Sequence, residues 1–399
     1  MAIRDLGRNR RRSFFSSLAL GVGLALLLMM AAVVEGEMRG AMDSTIKLQS
    51  GHLQVNAATY DENKASLAWE DLVESPAQLA AQISALPPVK AATPRLYASG
   101  IVTQGSRSLG VRIVGVDPAS PANEPYRAGM VSGEFIQADD REGILIGQAL
   151  ADKLKVQTGD LLTLLVNTSN GDVDEQRFTI RGIYSTGTST YDEVNVFMPL
   201  AKAQAITQAG DHASTIFILL QGKEQTPAVV AALQTGKYQV RTLEQMNALL
   251  AQFDEMAGSY MIFMYLIVLG ITVTVIVNTL IMSVFERTRE IGILSAIGMR
   301  GGQIMAMFFA ESGLLAIGGI VIGLVLGGLL AYYTYHVGIY IGKMGVTGIL
   351  IGERIYGYLT LNDAITLSIM ALVITLLAGL YPAVLAARME PVDALRGGQ

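Results

Sequence analysis

The sequence contains no cysteine. A disulfide framework, a thiol nucleophile and a cysteine-ligated iron–sulfur cluster are therefore excluded. Charge is scarce too: Asp, Glu, Lys and Arg make up 16% of the 399 residues, against about a quarter in an average soluble protein. There are 3 histidines, and His52, His212 and His336 lie far apart in sequence, which argues against a histidine-built metal site. The formal net charge of −5 excludes a generally basic nucleic-acid binder. No GxSxG, HExxH or CxxC pattern occurs, and the GxxxxGK[ST] loop that cradles nucleotide phosphates is missing. What the chain has instead is apolar mass: 51% hydrophobic residues with 42 Gly and 18 Met, and a mean hydropathy of +0.42. This composition excludes disorder and argues against an ordinary cytosolic enzyme.

The apolar residues are concentrated in four stretches. Residues 13–34, 256–285 and 364–387 carry no charge, and 312–341 is interrupted only by His336. A membrane helix needs about 20 mostly apolar residues to cross a hydrocarbon core about 30 Å thick. None of the four alternates with period two, and a helix satisfies its own backbone hydrogen bonds in lipid. Four transmembrane helices are the expected solution. A cleaved signal peptide is the competing reading of the first stretch, but such cores run about 7–15 residues, and this one is longer.

Between the first two stretches the composition changes. Residues 35–255 hold most of the 34 acidic and more than half of the 29 basic residues, as a water-soluble domain would. Arg4, Arg8, Arg10, Arg11 and Arg12 crowd the start, Arg287, Arg289 and Arg300 follow the second stretch, and Arg388 and Arg396 follow the fourth. Four spans place all three clusters on one side, so the positive-inside rule puts both termini in the cytoplasm and the large domain outside. The expected order is a basic segment at 1–12, helix 1 at 13–38, an extracytoplasmic α+β domain at 39–255 and helix 2 at 256–285. Then come a cytoplasmic segment at 286–303, helix 3 at 304–337, an outside loop at 338–362, helix 4 at 363–387 and a cytoplasmic tail at 388–399.

Inside the α+β domain, strands are expected over 45–56, 110–116, 194–198 and 215–220. Residues 161–166 and 176–184 read as a hairpin across the turn-rich Asn167 to Asp172. Helices are expected at 76–86, stopped by Pro87 and Pro88, at 146–154, at 227–233 and at 243–255, the last leading straight into span two. The acid pairs Asp139–Asp140 and Asp174–Glu175 read as solvated turns. No catalytic constellation emerges, which points to binding or force transmission.

After span two the sequence reads ERTREIGILSAIGM over residues 286–299. Charges open a short amphipathic helix with Ile291, Ile293, Leu294 and Ile297 as its apolar residues, and Gly298, Gly301 and Gly302 stop it. Docking onto a cytosolic partner and lying on lipid are both open readings. In span three, Gly319, Gly323 and Gly327 recur every four residues, the spacing that lets helices approach closely. Glu311, near the inner end of that span, needs the interface or a partner such as Arg300.

The 286–299 pattern closely resembles the permease family that includes FtsX, MacB and the lipoprotein-releasing LolC/LolE proteins. The likeness continues at Leu6 to Arg12, at Glu311 before a Gly-rich span, at Tyr381-Pro382-Ala383, at Ala386-Ala387-Arg388 and from Pro391 to Arg396. The resemblance implies an ABC-transporter membrane subunit with a MacB-like outer domain. It would hold no cofactor itself; ATP and Mg²⁺ would be bound by two copies of a separate cytosolic ATPase, beside a second permease subunit. The motif match makes Glu286, Arg287, Arg289, Glu290, Ile291, Gly292, Leu294, Ala296 and Gly298 the coupling helix against that ATPase.

Within the family the outer domain resembles the LolC/LolE type, on Thr93-Pro94-Arg95, Gly115 to Pro118 and Ile183 to Gly187. That likeness implies release of lipoproteins from the membrane, with MacB-like efflux of peptides, macrolides or other amphiphiles, or FtsX-like signalling to an outer hydrolase, as alternatives. Met38, Met42, Met256, Tyr260, Met261, Phe263 and Met264 are the candidate substrate contacts, because methionine adapts to varied apolar ligands; packing against lipid or helices is the plainer reading of the same residues. Chaperone-docking members of the family extend the loop that corresponds to the tight turn at 167–172, so the resemblance argues against docking of a soluble lipoprotein carrier by this chain; a periplasmic carrier or adaptor stays an open partner.

Overall fold

The computed structural model describes residues 10–61, 64, 66–234, 236–343 and 349–389. The motif segments at Leu6 to Asn9 and at Pro391 to Arg396, and the arginines Arg4, Arg8 and Arg396, lie outside the described residues. The chain divides into a helical unit (1–38, 254–339 and 355–399) and an α+β unit (39–253 and 340–354).

The helical unit is built on α1 (Arg10–Ser44), α2 (Ala248–Glu286), α3 (Thr288–Ala296), α4 (Gly301–Val337) and α5 (Leu361–Ala387). All but α3 are long and apolar enough to cross a membrane. Between apolar helices lipid supplies no hydrophobic drive, so close packing and interhelical hydrogen bonds must hold the bundle. Both are present. Gly319, Gly323 and Gly327 of α4 face Leu20, Leu24 and Leu28 of α1, and a Cβ built on these glycines would meet the leucine atoms at 2.5, 2.8 and 2.8 Å. The two four-residue rows thus interlock, one of bulk and one of absent side chains. Ser17 Oγ donates to the Leu315 carbonyl at 3.2 Å, tying α1 to α4. Ser16 Oγ donates to Thr279 Oγ1 at 3.1 Å, tying α1 to α2. The buried row Leu20, Leu24, Leu27 and Leu28 joins Leu269, Ile276, Leu280, Leu315 and Leu367 in one core.

The α+β unit is built on strands β1 (Leu53–Ala57), β2 (Val73–Glu74), β3 (Val89–Gln104), β4 (Arg107–Val116), β5 (Met130–Gly133) and β6 (Gly143–Gly147). They are followed by β7 (Leu161–Asn167), β8 (Val173–Tyr184), β9 (Asn195–Pro199), β10 (His212–Ala213), β11 (Thr215–Leu220) and β12 (Tyr238–Thr242). The hydrogen-bonded neighbours β3, β4, β9, β6, β8 and β7 return to β3, closing a six-stranded ring. From β3 the sheet also runs outward through β11 and β1 to β12. One strand serves both parts: residues up to Arg95 pair with β11, and Gly100 to Thr103 pair with β7. Gly100 sits where β3 changes partner, and a Cβ there would lie 2.6 Å from the Leu165 carbonyl oxygen, so the close approach needs glycine.

Three expectations shift. Residues 45–50 are not strand; α1 runs on into a π-helical turn, Thr45–Ser50, and extended backbone begins only at Leu53. The helix expected over 146–154 starts at Gln148, because Gly143–Gly147 pairs with β8 and β9. The helix over 243–255 is two pieces, Leu243–Met246 and the start of α2, parted at Asn247. The hairpin across 167–172 forms, with Asn167 opposite Val173. Its turn is pinned by Asn170 Nδ2 to Gln208 Oε1 at 2.6 Å and by Ser169 Oγ to the Gln208 carbonyl at 2.8 Å.

Candidate functional site

Two places in the helical unit carry the residues singled out from the sequence. The first is the turn from α2 through α3 into α4. Helix α2 ends at Glu286, Arg287 caps α3, and Gly298 at φ 99° ends the segment with a left-handed residue only glycine adopts freely. The segment 286–303 is therefore a short helix with its two hinges, and residues 301–303 already belong to α4.

Helix α3 has two different faces. Ile291, only 1% exposed, packs with Val284 of α2, Ile304 and Phe308 of α4, and Ala383 and Ala386 of α5. Gly292 is buried on the same side. Arg287 turns the same way: its Nε lies 3.2 Å from Glu290 Oε2, its Nη1 lies 3.7 Å from Glu311 Oε2, and its guanidinium carbon is 6.0 Å from the Phe308 ring. Glu311 is 8% exposed, and a carboxylate held this deep is stable only with a cation beside it. That cation is Arg287, where the sequence suggested Arg300. The opposite face shows Glu286, Arg289, Ile293, Ala296, Ile297 and Gly298 to the surroundings, with Ile297 78% exposed.

The expected coupling residues thus separate into two sets. Arg287, Ile291 and Gly292, with Glu290 and Leu294 partly covered, fasten the helix to the bundle. Glu286, Arg289, Ala296 and Gly298 are exposed. Ile293 and Ile297, two of the apolar residues named for this amphipathic helix, stand on the exposed face, away from Ile291. A short helix that shows isoleucines between arginine and glutamate is a surface ready for a protein groove.

The second place is a cleft of about 210 Å³ among α1, α2 and α5. Ala31, Val34, Glu35 and Met38 line one side, Ala257, Gly258, Met261 and Tyr265 the other, and Asp363 the end. Of the expected substrate contacts, Met38 and Met261 line this cleft. Met256, Tyr260 and Phe263 are exposed along α2 with Ile262 and Leu266, Met264 is half-buried, and Met42 falls in the α+β unit. The cleft sets Val34, Met38 and Met261 beside the carboxylates of Glu35 and Asp363, a mixed lining that suits a ligand with a hydrocarbon part and a polar end.

The comparisons with known proteins follow this division. Residues 13–235 match the MacB-like periplasmic core domain, and residues 262–391 match the FtsX-like permease C-terminal region. The chain belongs to this family of ABC-transporter permease subunits. It is 23% identical to the lipoprotein-releasing system transmembrane protein LolE of Haemophilus influenzae, over 96% of this chain and 93% of that one. Identity to the corresponding protein LolC of Xylella fastidiosa is 24%, over 99% of this chain and 98% of the other. The macrolide export ATP-binding/permease protein MacB of a Shewanella species is 23% identical over 99% of this chain, which spans 60% of that longer protein. Membership implies a cytosolic ATPase partner.

Proposed function

We propose that this chain is the permease subunit that turns ATP hydrolysis by a separate cytosolic ATPase into extrusion of an amphiphile from the outer face of the inner membrane, with lipoprotein as the substrate. The observation that carries the reading is the two-faced α3: Ile291 and Arg287 lock it into the bundle while Ile293 and Ile297 are exposed. A displacement applied by a partner at the exposed face would pass to α2, α4 and α5, because residues of all three share one apolar cluster with Ile291. Two ATPase copies closing on nucleotide would move two permease subunits in this way.

In this reading 1–12, 286–303 and 388–399 face the cytoplasm, and 39–255 and 338–362 face outside. Met38 and Met261 meet the acyl part of the substrate, and the exposed Met256, Tyr260 and Phe263 meet lipid or the second permease subunit. Full-length likeness to both LolE and LolC supports lipoprotein over other cargo. Likeness to MacB over the same length supports efflux of another amphiphile as the second reading.

Copurification of the chain from membranes, with mass spectrometry of bound proteins and lipids, tests both. An ATPase recovered with acylated lipoprotein supports the first reading. The ATPase with an adaptor and a drug or peptide supports the second, and the ATPase with an outer hydrolase supports signalling instead of transport. A chain that recovers no ATPase under conditions that preserve the complex refutes the proposal.

A further inference from the structure

Two segments reach the α+β unit from the membrane helices: the π-helical turn that continues α1, and the stretch 340–354 between α4 and α5. Within the α+β unit both end on one short helix, Ser189–Val194. Leu48, in the π-helical turn, is 4% exposed, and its carbonyl is one of those a helix C-terminus leaves without an intrahelical donor. Three side chains supply donors. Tyr191 Oη donates to it at 2.9 Å, Tyr126 Oη at 3.0 Å and Arg95 Nη1 at 3.0 Å. The two tyrosine hydroxyls are themselves 2.8 Å apart. Two residues before Tyr191, the Ser189 hydroxyl donates to the Glu353 carboxylate. The Glu353 N–H donates to the Gly187 carbonyl at 2.8 Å. Leu350 then packs with Leu48, Tyr126 and Tyr191 in a single apolar cluster.

We infer that the helix Ser189–Val194 is the transmission node of the α+β unit. Tyr191 and Ser189 are positioning residues that make the end of α1 and the 340–354 segment move together. The geometry requires little else. One rigid turn of helix bonds one segment through Tyr191 and the other through Ser189, so neither can shift without carrying or breaking the other. Tyr191 supplies one of three bonds to this buried carbonyl, and losing one such bond costs about 1 kcal/mol, which makes carrying the favoured outcome. Linkage of this kind is reciprocal: loosening either bond must loosen the far segment. The inference deepens the ATP-driven reading above and rests on it only for the origin of the movement.

Hydrogen exchange on the full-length chain in lipid nanodiscs tests the linkage without any partner. Glu353→Ala should raise exchange of amides 45–51 about fivefold, and Tyr191→Phe should do the same at 349–354, the change expected from losing one hydrogen bond of typical net strength. Glu353→Gln, which keeps an acceptor for Ser189, should match the native chain. If each effect stays at its own segment, or if Glu353→Gln behaves like Glu353→Ala, the node is refuted. A second arm adds the copurified ATPase with ATP and vanadate. Both segments should respond in the native chain, and only one in each of Tyr191→Phe and Ser189→Ala, with basal ATPase activity within twofold. Full response at both segments in the variants overturns the inference. No nucleotide response in the native chain refutes the ATP-driven reading instead, and the first arm still decides the node.

Discussion

Alanine at Gly323 is the sharpest perturbation of the helical unit. The new Cβ would stand 2.8 Å from Leu24 Cβ, 2.8 Å from Leu24 Cδ2 and 2.9 Å from Leu24 Cγ. Carbon atoms in comfortable contact sit about 3.5–4.0 Å apart. Rotating the Leu24 side chain cannot clear its own Cβ, so α1 and α4 must part locally by about 1 Å. The flanking pairs Leu20–Gly319 and Leu28–Gly327 are equally tight, and they would loosen with it. Overpacking of this kind costs about 1–3 kcal/mol. Leu24→Ala alone opens a cavity and costs about 2–5 kcal/mol. The two changes together remove the Cβ-to-Cγ and Cβ-to-Cδ conflict, so the double variant should be more stable than the sum of the singles by at least 1 kcal/mol, the coupling expected of residues in contact. Thermal unfolding in detergent, followed by loss of the folded band or by circular dichroism, measures the cycle. Strict additivity would refute the interlocked rows.

Asp192 gives a pH test in the α+β unit. Burial raises its pKa from 3.8 to about 6, against hydrogen bonds from Thr186 and Ser185 that pull it down, and the nearby Glu353 adds to the rise. The native state therefore holds this proton more tightly than the unfolded chain. Its contribution is present below pH 3.8, fades as pH rises to about 6, and leaves a constant deficit of roughly 3 kcal/mol above that. Asp192→Asn should raise the melting temperature at pH 8 and leave it nearly unchanged at pH 4; equal shifts at both would reject the assignment. Arg287→Ala should cost about 3 kcal/mol by removing the cation 3.7 Å from the buried Glu311 carboxylate, and adding Glu311→Gln should recover most of it, measured as the detergent melting point. Ile297→Asp should leave that melting point within error and abolish substrate-coupled ATPase activity; retained coupling would show that the exposed face of α3 is not the grip. Charge reversal at Glu286 should act in the same direction.

The helical unit was legible because its signals are local and one-dimensional. An uncharged run of sufficient length has one solution in lipid, and Gly319, Gly323 and Gly327 announce a close approach by their spacing alone. Their partner was not legible: nothing in the sequence says that the row fits α1, and Gly21, where an added Cβ would lie 2.6 Å from Ile322, lies outside any such repeat. Strands with clear turns, such as β7 and β8, were found. Strand β3 was not, because Pro94, Arg95 and Gly100 interrupt its alternation while serving three different neighbours. Ile46 and Leu48 alternate with polar residues, a pattern that favours strand over 45–50. The π-helical turn wins there because it continues a helix already paid for in nucleation.

The chemistry of the sites divides in the same way. The loop motif located α3, but periodicity could not decide which isoleucines face inward. Helix α3 is fastened through Arg287 and Glu311, residues 24 positions apart and joined only by the fold. Sequence proximity favoured Arg300 as the partner of Glu311. Arg287 takes the place because Ile291, one turn further along, seats α3 against Phe308 and brings the guanidinium back over α4. The Leu48 node lay further still from view. Its acceptor is a backbone carbonyl, which carries no residue identity, and its donors Arg95, Tyr126 and Tyr191 come from three separate elements. A signal was nonetheless present in part. An arginine inside an apolar strand and two tyrosines in an apolar setting each need a polar partner when buried, and the carbonyls at a helix end are such partners.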